Sequence, residues 1–553
     1  MKLLSLRETC YILFWVIGCT LAFLLLHALP PDVVRRYLWA FDHLREFPLW
    51  ACFLLTIAGV SVVFPWINQR IWSLLIAFVG GIRLHRGIQY ALIGGACFPL
   101  FYLLRTRNYA LGDSAHLIQA LTFYVHTLGV HITFDEPLEL YAHSVAYRFL
   151  HHAFNGSVEE TYALLSALCG VGFVLIMLVL WRRLAPDPGR RIVALGLIFS
   201  IGTMQLFFGY VENYTIVATG VMLYVLSAHI YLRGRGHIVW PALTLSVSFC
   251  FHVLAGWMFP SLLYLYLVRV RKCTRLENLL RFGSMALAVL LPIAATIGYC
   301  AYLGVSPKYI KGTHLWHMKF IFLLNKSYRY YQYPMFSLRH LVDVLNELVL
   351  TSLPGVMALG FVGFFHYRKV DLGDCFLRFL LLSAVFLQVF AISWNSDLGA
   401  YRDWDLYAIM GFGYALLGAY VLVQTVPNRQ QVQYVGLIFI VLSLSLSGTW
   451  VIYNARHRVP VNAGHDVAHV VLGNEQARQG RLNEAIRNYQ EALRINPYNA
   501  IAHMNLGEAY WRKGNTQKAR HHFEEYLRWA PDGKYAASVR AKIRRLKQGS
   551  ALF

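Results

Sequence analysis

Charge is scarce in this chain. Asp, Glu, Lys and Arg make up 14% of its 553 residues, where a soluble protein carries about a quarter. Acids are the scarcer sign, 28 against 50 Lys and Arg. No Cys-x-x-Cys pair occurs among the nine cysteines, which excludes the common zinc and dithiol motifs. No Gly-rich phosphate loop follows a strand-like run, so neither a Rossmann nor a P-loop nucleotide site is indicated. Sustained alternation of apolar and polar residues is also missing, which excludes a transmembrane β-barrel.

What fills the chain instead is apolar residues, 57% of the total, with a mean hydropathy of +0.47. They are gathered in runs of about 17–25 residues, the length that crosses a bilayer as a helix. Thirteen spans are expected, at 10–29, 49–66, 88–104, 161–181, 192–209, 214–232, 238–254, 256–270, 280–303, 342–366, 376–395, 406–425 and 434–453. The stretch 71–81 is too short to cross and reads as interfacial or re-entrant. Lys2 and Arg7 precede the first run, and no small-x-small site follows it, so that run is an uncleaved anchor. The class is all-α and polytopic.

The net charge of +22 would suit nucleic acid, but the basic residues are dispersed over short loops and the C-terminal segment, so no nucleic-acid partner is expected. Arg and Lys of short loops instead fix topology and meet anionic lipid. Arg70, Arg83 and Arg86, then Arg182, Arg183, Arg190 and Arg191, then Arg233 and Arg235 fall in alternate loops. Arg269, Arg271, Lys272 and Arg275, then Arg368 and Lys369, continue the series. The alternation holds with a cytoplasmic N-terminus. Residues 105–160, 304–341 and 396–405 then face outward, with the C-terminal segment.

That segment repeats every 34 residues. His469, Leu472, Gly473, Ala485, Tyr489, Ala492 and Pro497 recur as His503, Leu506, Gly507, Ala519, Phe523, Tyr526 and Pro531. The spacing resembles tetratricopeptide repeats, with small residues where two helices cross and Pro ending the second. Two repeats are followed by a capping helix near 535–546. A repeat unit of this kind suits a protein or peptide partner; passive packing is the alternative. Three regions follow: a two-span extension with an interfacial segment (1–87), a transmembrane domain (88–455) and the repeat domain (456–553).

The few outward acids are where chemistry is sought. Asp113 follows the third span, beside Ser114, and suits a general base or metal ligand at the headgroup plane; a helix cap is the alternative. His116 opens the loop behind it, rich in His and Tyr. Glu212, Asn213 and Tyr214 lie between two spans, where they suit recognition of sugar hydroxyls or support of the base, or a plain polar turn. Asp403 and Asp405 have the spacing to share a divalent cation, Mg or Mn, and Arg402 beside them can hold a phosphate. An internal ion pair is the other reading. Lys308, Lys311, His314 and Arg329 stand among aromatics in an outward loop, against the positive-inside trend, and suit a lipid phosphate or general attraction to headgroups.

An acid in the first large outer loop, basic inner loops and an outer C-terminal domain together resemble the GT-C class of integral-membrane glycosyltransferases. The added repeats are similar to those of mannosyltransferases that carry them in the lumen. The resemblance implies a GT-C-like fold and a sugar donor on a polyprenyl phosphate carrier. It implies transfer to a glycan, lipid or protein acceptor at the outer, periplasmic or lumenal face. Asp113 would match the loop acid serving as base, assisted by Glu212 and Asp403. The departures are that Asp113 is followed by Ser114 and that its loop follows the third span rather than the first. A glycan polymerase or ligase, and a membrane scaffold recruiting partners through its repeats, are the competing readings.

Overall fold

A computed structural model describes the chain except residues 1–3, 82–83, 115–116, 119, 123–124, 126–129, 131–135, 271–272, 304–333, 395–399, 459–464, 496–498, 531–534 and 548–553. The described residues form helices and no β-strand. Helix starts are written in the sequence as caps. Ser5 with Glu8, Ser157 with Glu160 and Thr274 with Glu277 make reciprocal capping boxes. Asp187, Asp374 and Asn428 cap three further helices through their side chains.

Helix α1 (Leu6–Leu25) leads to the short α2 (Pro31–Tyr37) and a 3-10 turn (Trp39–Glu46). Helices α3 (Leu49–Ser61) and α4 (Pro65–Gly81) meet at 90°. Next come α5 (Arg86–Leu103), α6 (Pro137–Phe154), α7 (Val158–Leu184), α8 (Pro188–Phe199) and α9 (Thr215–Leu232). The series continues with α10 (Val239–Phe251), α11 (Phe259–Val270), α12 (Arg275–Tyr302), α13 (Leu338–Phe365), α14 (Cys375–Ser393), α15 (Ala408–Thr425) and α16 (Arg429–Arg456).

Among the described residues, nine helical segments are long and apolar enough to cross a membrane, or ten if α3 and α4 count as one bent span. This differs from the expected thirteen. The shortfall lies in α5, α8 and α10. Helix α8 has 12 residues before the chain tightens into a 3-10 turn, Gly202–Phe207, and α10 has 13. At 1.5 Å per residue each is about 20 Å long, short of a hydrocarbon core of about 30 Å. Contacts nevertheless carry α8 and its 3-10 continuation between two faces of the bundle. On one face Arg190, at the start of α8, donates to Val426 O at 3.0 Å and Pro427 O at 2.7 Å. On the other, Phe208, just past the 3-10 turn, accepts from Thr106 N at 2.7 Å.

The first face is the basic one. Arg182 donates to Gln89 at 2.8 Å, Arg429 pairs with Asp187 at 3.3 Å, and Glu8 near the N-terminus meets His366 at 3.1 Å and Gln431 at 2.8 Å. The second face gathers the loops after α5, between α8 and α9, and before α15. Asn454, in the last turn of α16, accepts from Arg107 N at 2.8 Å through its carbonyl and from Asn108 at 3.0 Å through its side chain. The C-terminal end of the membrane domain therefore lies on the acidic face, opposite Glu8.

Lipid tails are as apolar as the side chains, so packing rather than water exclusion holds such a bundle. Helix α15 is its centre: the span it forms is 83% buried, whereas that of α12 is 11% buried. The α13–α15 contact depends on missing side chains. A Cβ at Gly418 would lie 2.6 Å from Gly355 O, and one at Gly411 would lie 2.8 Å from Thr351 O.

The repeat unit is α17 (His465–Arg478) with α18 (Leu482–Ile495), then α19 (Ala500–Arg512) with α20 (Thr516–Trp529), and the cap α21 (Ala536–Lys547). The 34-residue period appears as the same contact made twice. A Cβ at Gly473 would stand 2.6 Å from the Tyr489 ring, and one at Gly507 2.7 Å from the Phe523 ring. Ala485, Tyr489, Leu506, Phe523 and Tyr526 are buried between the helices. The unit touches the membrane domain where the Arg35 guanidinium lies 5.2 Å from the centre of the Trp529 ring.

Gly418→Val is expected to destabilise the bundle by about 1–3 kcal/mol through overpacking against backbone. Gly448→Ala, where a new Cβ meets nothing within 4 Å, should leave stability unchanged. Thermal unfolding of the two variants in detergent checks this.

Candidate active site

Three loops converge at Gly112. Its N–H donates to Arg402 O at 2.8 Å, and its backbone sits at φ +56°, a conformation that favours glycine. A Cβ there would lie 2.8 Å from Asp405 Oδ2 and closer still to Glu212 Oε1. Glycine is thus what lets two carboxylates from distant loops approach one point of backbone. The next residue, Asp113, donates its N–H to Glu212 Oε1. Asp113 O in turn accepts from Leu117 N at 2.9 Å, so Asp113 opens a helical turn. As the first N–H of that turn, the Asp113 N–H has no carbonyl within the helix to meet, and the Glu212 oxygen takes it instead. Ser114 is buried and its hydroxyl reaches Leu111 O at 2.9 Å and Val211 O at 2.8 Å, tying the first two loops together.

The acids differ in burial. Asp113 is exposed, Asp403 half-buried, and Glu212 and Asp405 are 3% and 2% exposed. Burial pushes the Glu212 carboxyl well above the usual carboxylate range, and the negative charges of Asp405 and Asp113 push it further. The arrangement is an exposed acid resting on a proton-retaining one. Arg402 is exposed beside them.

A second set of polar contacts runs sideways from Glu212. Asn213, buried, donates to Glu136, and Glu136 Oε1 lies 3.0 Å from His252 Nε2. The Tyr214 ring packs on His252 with centroids 4.9 Å apart. Beneath them α6 turns Glu139 and His143 inward, each fully buried, with His143 stacked on Tyr162 at 3.9 Å. Among the described residues, neither Glu139 oxygen nor His143 Nε2 has a hydrogen-bond partner. Burial raises the Glu139 carboxyl well above its ordinary value and lowers His143 to about 4, so both are held neutral. The opposite face of α6 exposes Val145 and Phe149, as an amphipathic helix at a membrane boundary would.

Of the residues singled out in the sequence, Asp113, Glu212, Asn213, Tyr214, Arg402, Asp403 and Asp405 therefore meet on one face. His116, Lys308, Lys311, His314 and Arg329 lie outside the described residues. No group of three or more His, Cys, Asp or Glu able to hold a metal ion occurs among the described residues. Asp405, read from sequence as a partner of Asp403 for a cation, is turned toward Gly112 and Glu212. Glu136, Glu139 and His252 were not singled out, and Gly112 stood out only as the neighbour of Asp113. Only the i, i+4 spacing of Glu139 and His143 on one helix face could have marked that pair. The meeting of Glu136 with His252 joins segments more than 100 residues apart and leaves no local trace.

Residues 473–514 match the family described as "TPR repeat" and residues 500–532 that described as "Tetratricopeptide repeat". No curated protein matches the chain. Among solved structures it is similar to ArnT from Cupriavidus metallidurans bound to undecaprenyl phosphate. That alignment has 11% identity and a TM-score of 0.41, and covers 84% of this chain and 77% of the other. The apo state of the same protein gives 12% identity and a TM-score of 0.38, covering 84% and 78%. The chain is thus a helical membrane protein with C-terminal tetratricopeptide repeats.

Glu212→Gln keeps the oxygen that accepts from Asp113 N–H while removing the ionisable group from the cluster. With its carboxyl raised in the fold, wild type retains a proton that the unfolded chain has lost. The contribution of this group to stability is therefore fully present at acid pH and is lost as pH rises above the unfolded carboxyl value of about 4.3. The variant should unfold at a higher temperature than wild type at pH 8, with the difference closing toward pH 5. Thermal scans across that range read it directly.

Proposed function

We propose that the protein is a membrane glycosyltransferase that moves a sugar from a polyprenyl-phosphate-linked donor to a hydroxyl acceptor at the acidic face. The observation that carries this reading is the Asp113–Glu212 contact, an exposed carboxylate held by its own backbone on a buried carboxyl. Asp113 reaches solvent at the end of the helical bundle, where a lipid-linked substrate would present its headgroup. There it takes the proton of the acceptor hydroxyl. The freed oxygen attacks the anomeric carbon, the bond to the lipid phosphate breaks, and the phosphate leaves with both electrons. The reaction is a single displacement with inversion. Arg402, exposed beside the acids, supplies positive charge to the departing phosphate. Glu212 positions Asp113 and, by keeping its proton, spares the site a second negative charge. Asn213 and Tyr214 are placed to meet sugar hydroxyls.

The basic face, with Arg182, Arg183, Arg190 and Arg191 at helix ends, faces the cytoplasm in this reading, and the acids face the periplasm or another lumen.

Asp113→Asn is expected to lower sugar transfer by about 100-fold or more, the scale of a general base, at equal expression. Transfer is measured in isolated membranes from a panel of labelled polyprenyl-phosphate sugars. Full activity in the variant would remove Asp113 from the centre of the reaction. An absence of transfer from every donor, with the chain folded, would favour the scaffold reading.

A further inference from the structure

Several arginines of the basic face are engaged by the protein itself. Arg190 holds the carbonyls of Val426 and Pro427 just past α15, and Arg429 pairs with Asp187. Arg182, in the last turn of α7, is engaged only in part. Its Nη2 donates to Gln89 Oε1 at 2.8 Å, and its guanidinium stands 4.9 Å from the centre of the Tyr90 ring. Gln89 Nε2 donates to Leu84 O at 2.9 Å, which fixes the orientation of that amide. The Arg182 head is thereby held against the start of α5. Its Nη1 is buried and has no acceptor among the described residues. A buried charged donor left unmet is costly, so an acceptor is missing there. Two more cations stand by. Arg86, exposed, opens α5, and Arg191 lies in the first turn of α8. Arg86 and Arg182 are near enough for their charges to act on Arg191. The acid among them, Asp187, caps α8 by accepting from Arg190 N at 3.0 Å and pairs with Arg429 at 3.3 Å. Among the described residues, Arg86, Arg182 and Arg191 have no ion pair. Three helices bring three positive charges together with no carboxylate of their own.

Neighbouring surfaces put the cluster at the level of lipid headgroups. Helix α4 bends 90° from α3 and lies against the start of α16. There Asn68 Nδ2 donates to Tyr434 O at 3.1 Å and Trp72 Nε1 to Gln433 O at 2.8 Å. The other side of α4 exposes Trp66, Leu74 and Phe78, as a helix lying in the bilayer interface does. Helix α5 begins a few residues past it, and the side next to Gln89 exposes Ile88 and Leu92. Exposed apolar side chains therefore lead from the arginines along the bundle.

We propose that Arg182, Arg86 and Arg191 bind the phosphate of an anionic phospholipid in the leaflet at the basic face. A phosphate oxygen accepts from Arg182 Nη1, Arg86 and Arg191 supply further charge, and an acyl chain lies along Ile88 and Leu92. A headgroup that carries an ammonium beside its phosphate is disfavoured, because the cluster has no unengaged acid to receive it. The bound lipid pins α5 to α7 at the end opposite the Gly112 loop. The inference does not rest on the glycosyltransferase reading.

The test uses the full chain, delipidated in a neutral detergent, with native mass spectrometry to count lipid bound during titration. Phosphatidylglycerol is the probe and phosphatidylcholine the control. Phosphatidylglycerol should bind about tenfold or more tightly than phosphatidylcholine, and should raise the thermal midpoint of the chain. Arg86→Gln with Arg182→Gln should raise its Kd about tenfold or more. Arg233→Gln with Arg235→Gln removes the same charge from another exposed loop of that face, and should leave the Kd within about twofold. Arg86→Gln alone, at an exposed position, should weaken binding about threefold or more, and it carries the test if the double variant does not fold. Equal binding of phosphatidylcholine overturns the proposal. So does equal weakening by the two double variants, which would leave only general attraction to the face. Inorganic phosphate that displaces phosphatidylglycerol at equal concentration overturns the assignment to a lipid.

Discussion

Two carboxylates press on the backbone of Gly112, and the acidic face is organised around that approach. Like charges close together in a poorly hydrated place repel strongly, so the loops carrying them must be held by something else. The holding is done by backbone: Gly112 N to Arg402 O, Asp113 N to Glu212, and Ser114 to Leu111 and Val211. Retention of a proton on Glu212 relieves the rest. A site assembled this way stores cost in its electrostatics and recovers it from the packing of the helices below, chiefly around α15.

The same logic recurs beside it. Glu139 and His143 are buried on α6 with no hydrogen-bond partner for the Glu139 oxygens or His143 Nε2 among the described residues, and both are kept neutral by burial. Glu136, less buried, takes the polar contacts instead, from Asn213 and His252. The face therefore separates acids that keep their protons from acids that meet water, over the width of a few side chains. Burial does the sorting, because the residue type is the same in each case.

The helical class and the repeats were legible because their signals are local. Apolar runs give spans, and His469 to Pro497 recurring as His503 to Pro531 gives two helical hairpins. The shortness of α8 and α10 was not legible, since Gly202–Phe207 continues the apolar run of α8 while changing its helix type. Asp113, Glu212 and Asp405 stood out as acids at span ends, and alternation of the basic loops put them on one side. Their contact through Gly112 was beyond reach, because a glycine at positive φ looks like any loop glycine until its neighbours arrive. Glu139 and His143 were hidden differently. In a loop rich in His and Tyr they read as ordinary faces of an amphipathic helix, and only the packing of α6 on α7 shows which face is turned in.

Helix α16 runs 28 residues without a break and is fastened along its length. Gln431 holds Glu8, Gln433 O accepts from Trp72 at 2.8 Å, Ser443 reaches Ser200 O at 2.7 Å, and Asn454 holds the loop before Gly112. It acts as a ruler between the two faces. One residue added midway would turn everything beyond it by about 100° and lift it about 1.5 Å, so Asn454 and the repeat domain behind it would swing away from their partners. The residue count of α16 is therefore as much a part of the fold as the side chains that fasten it.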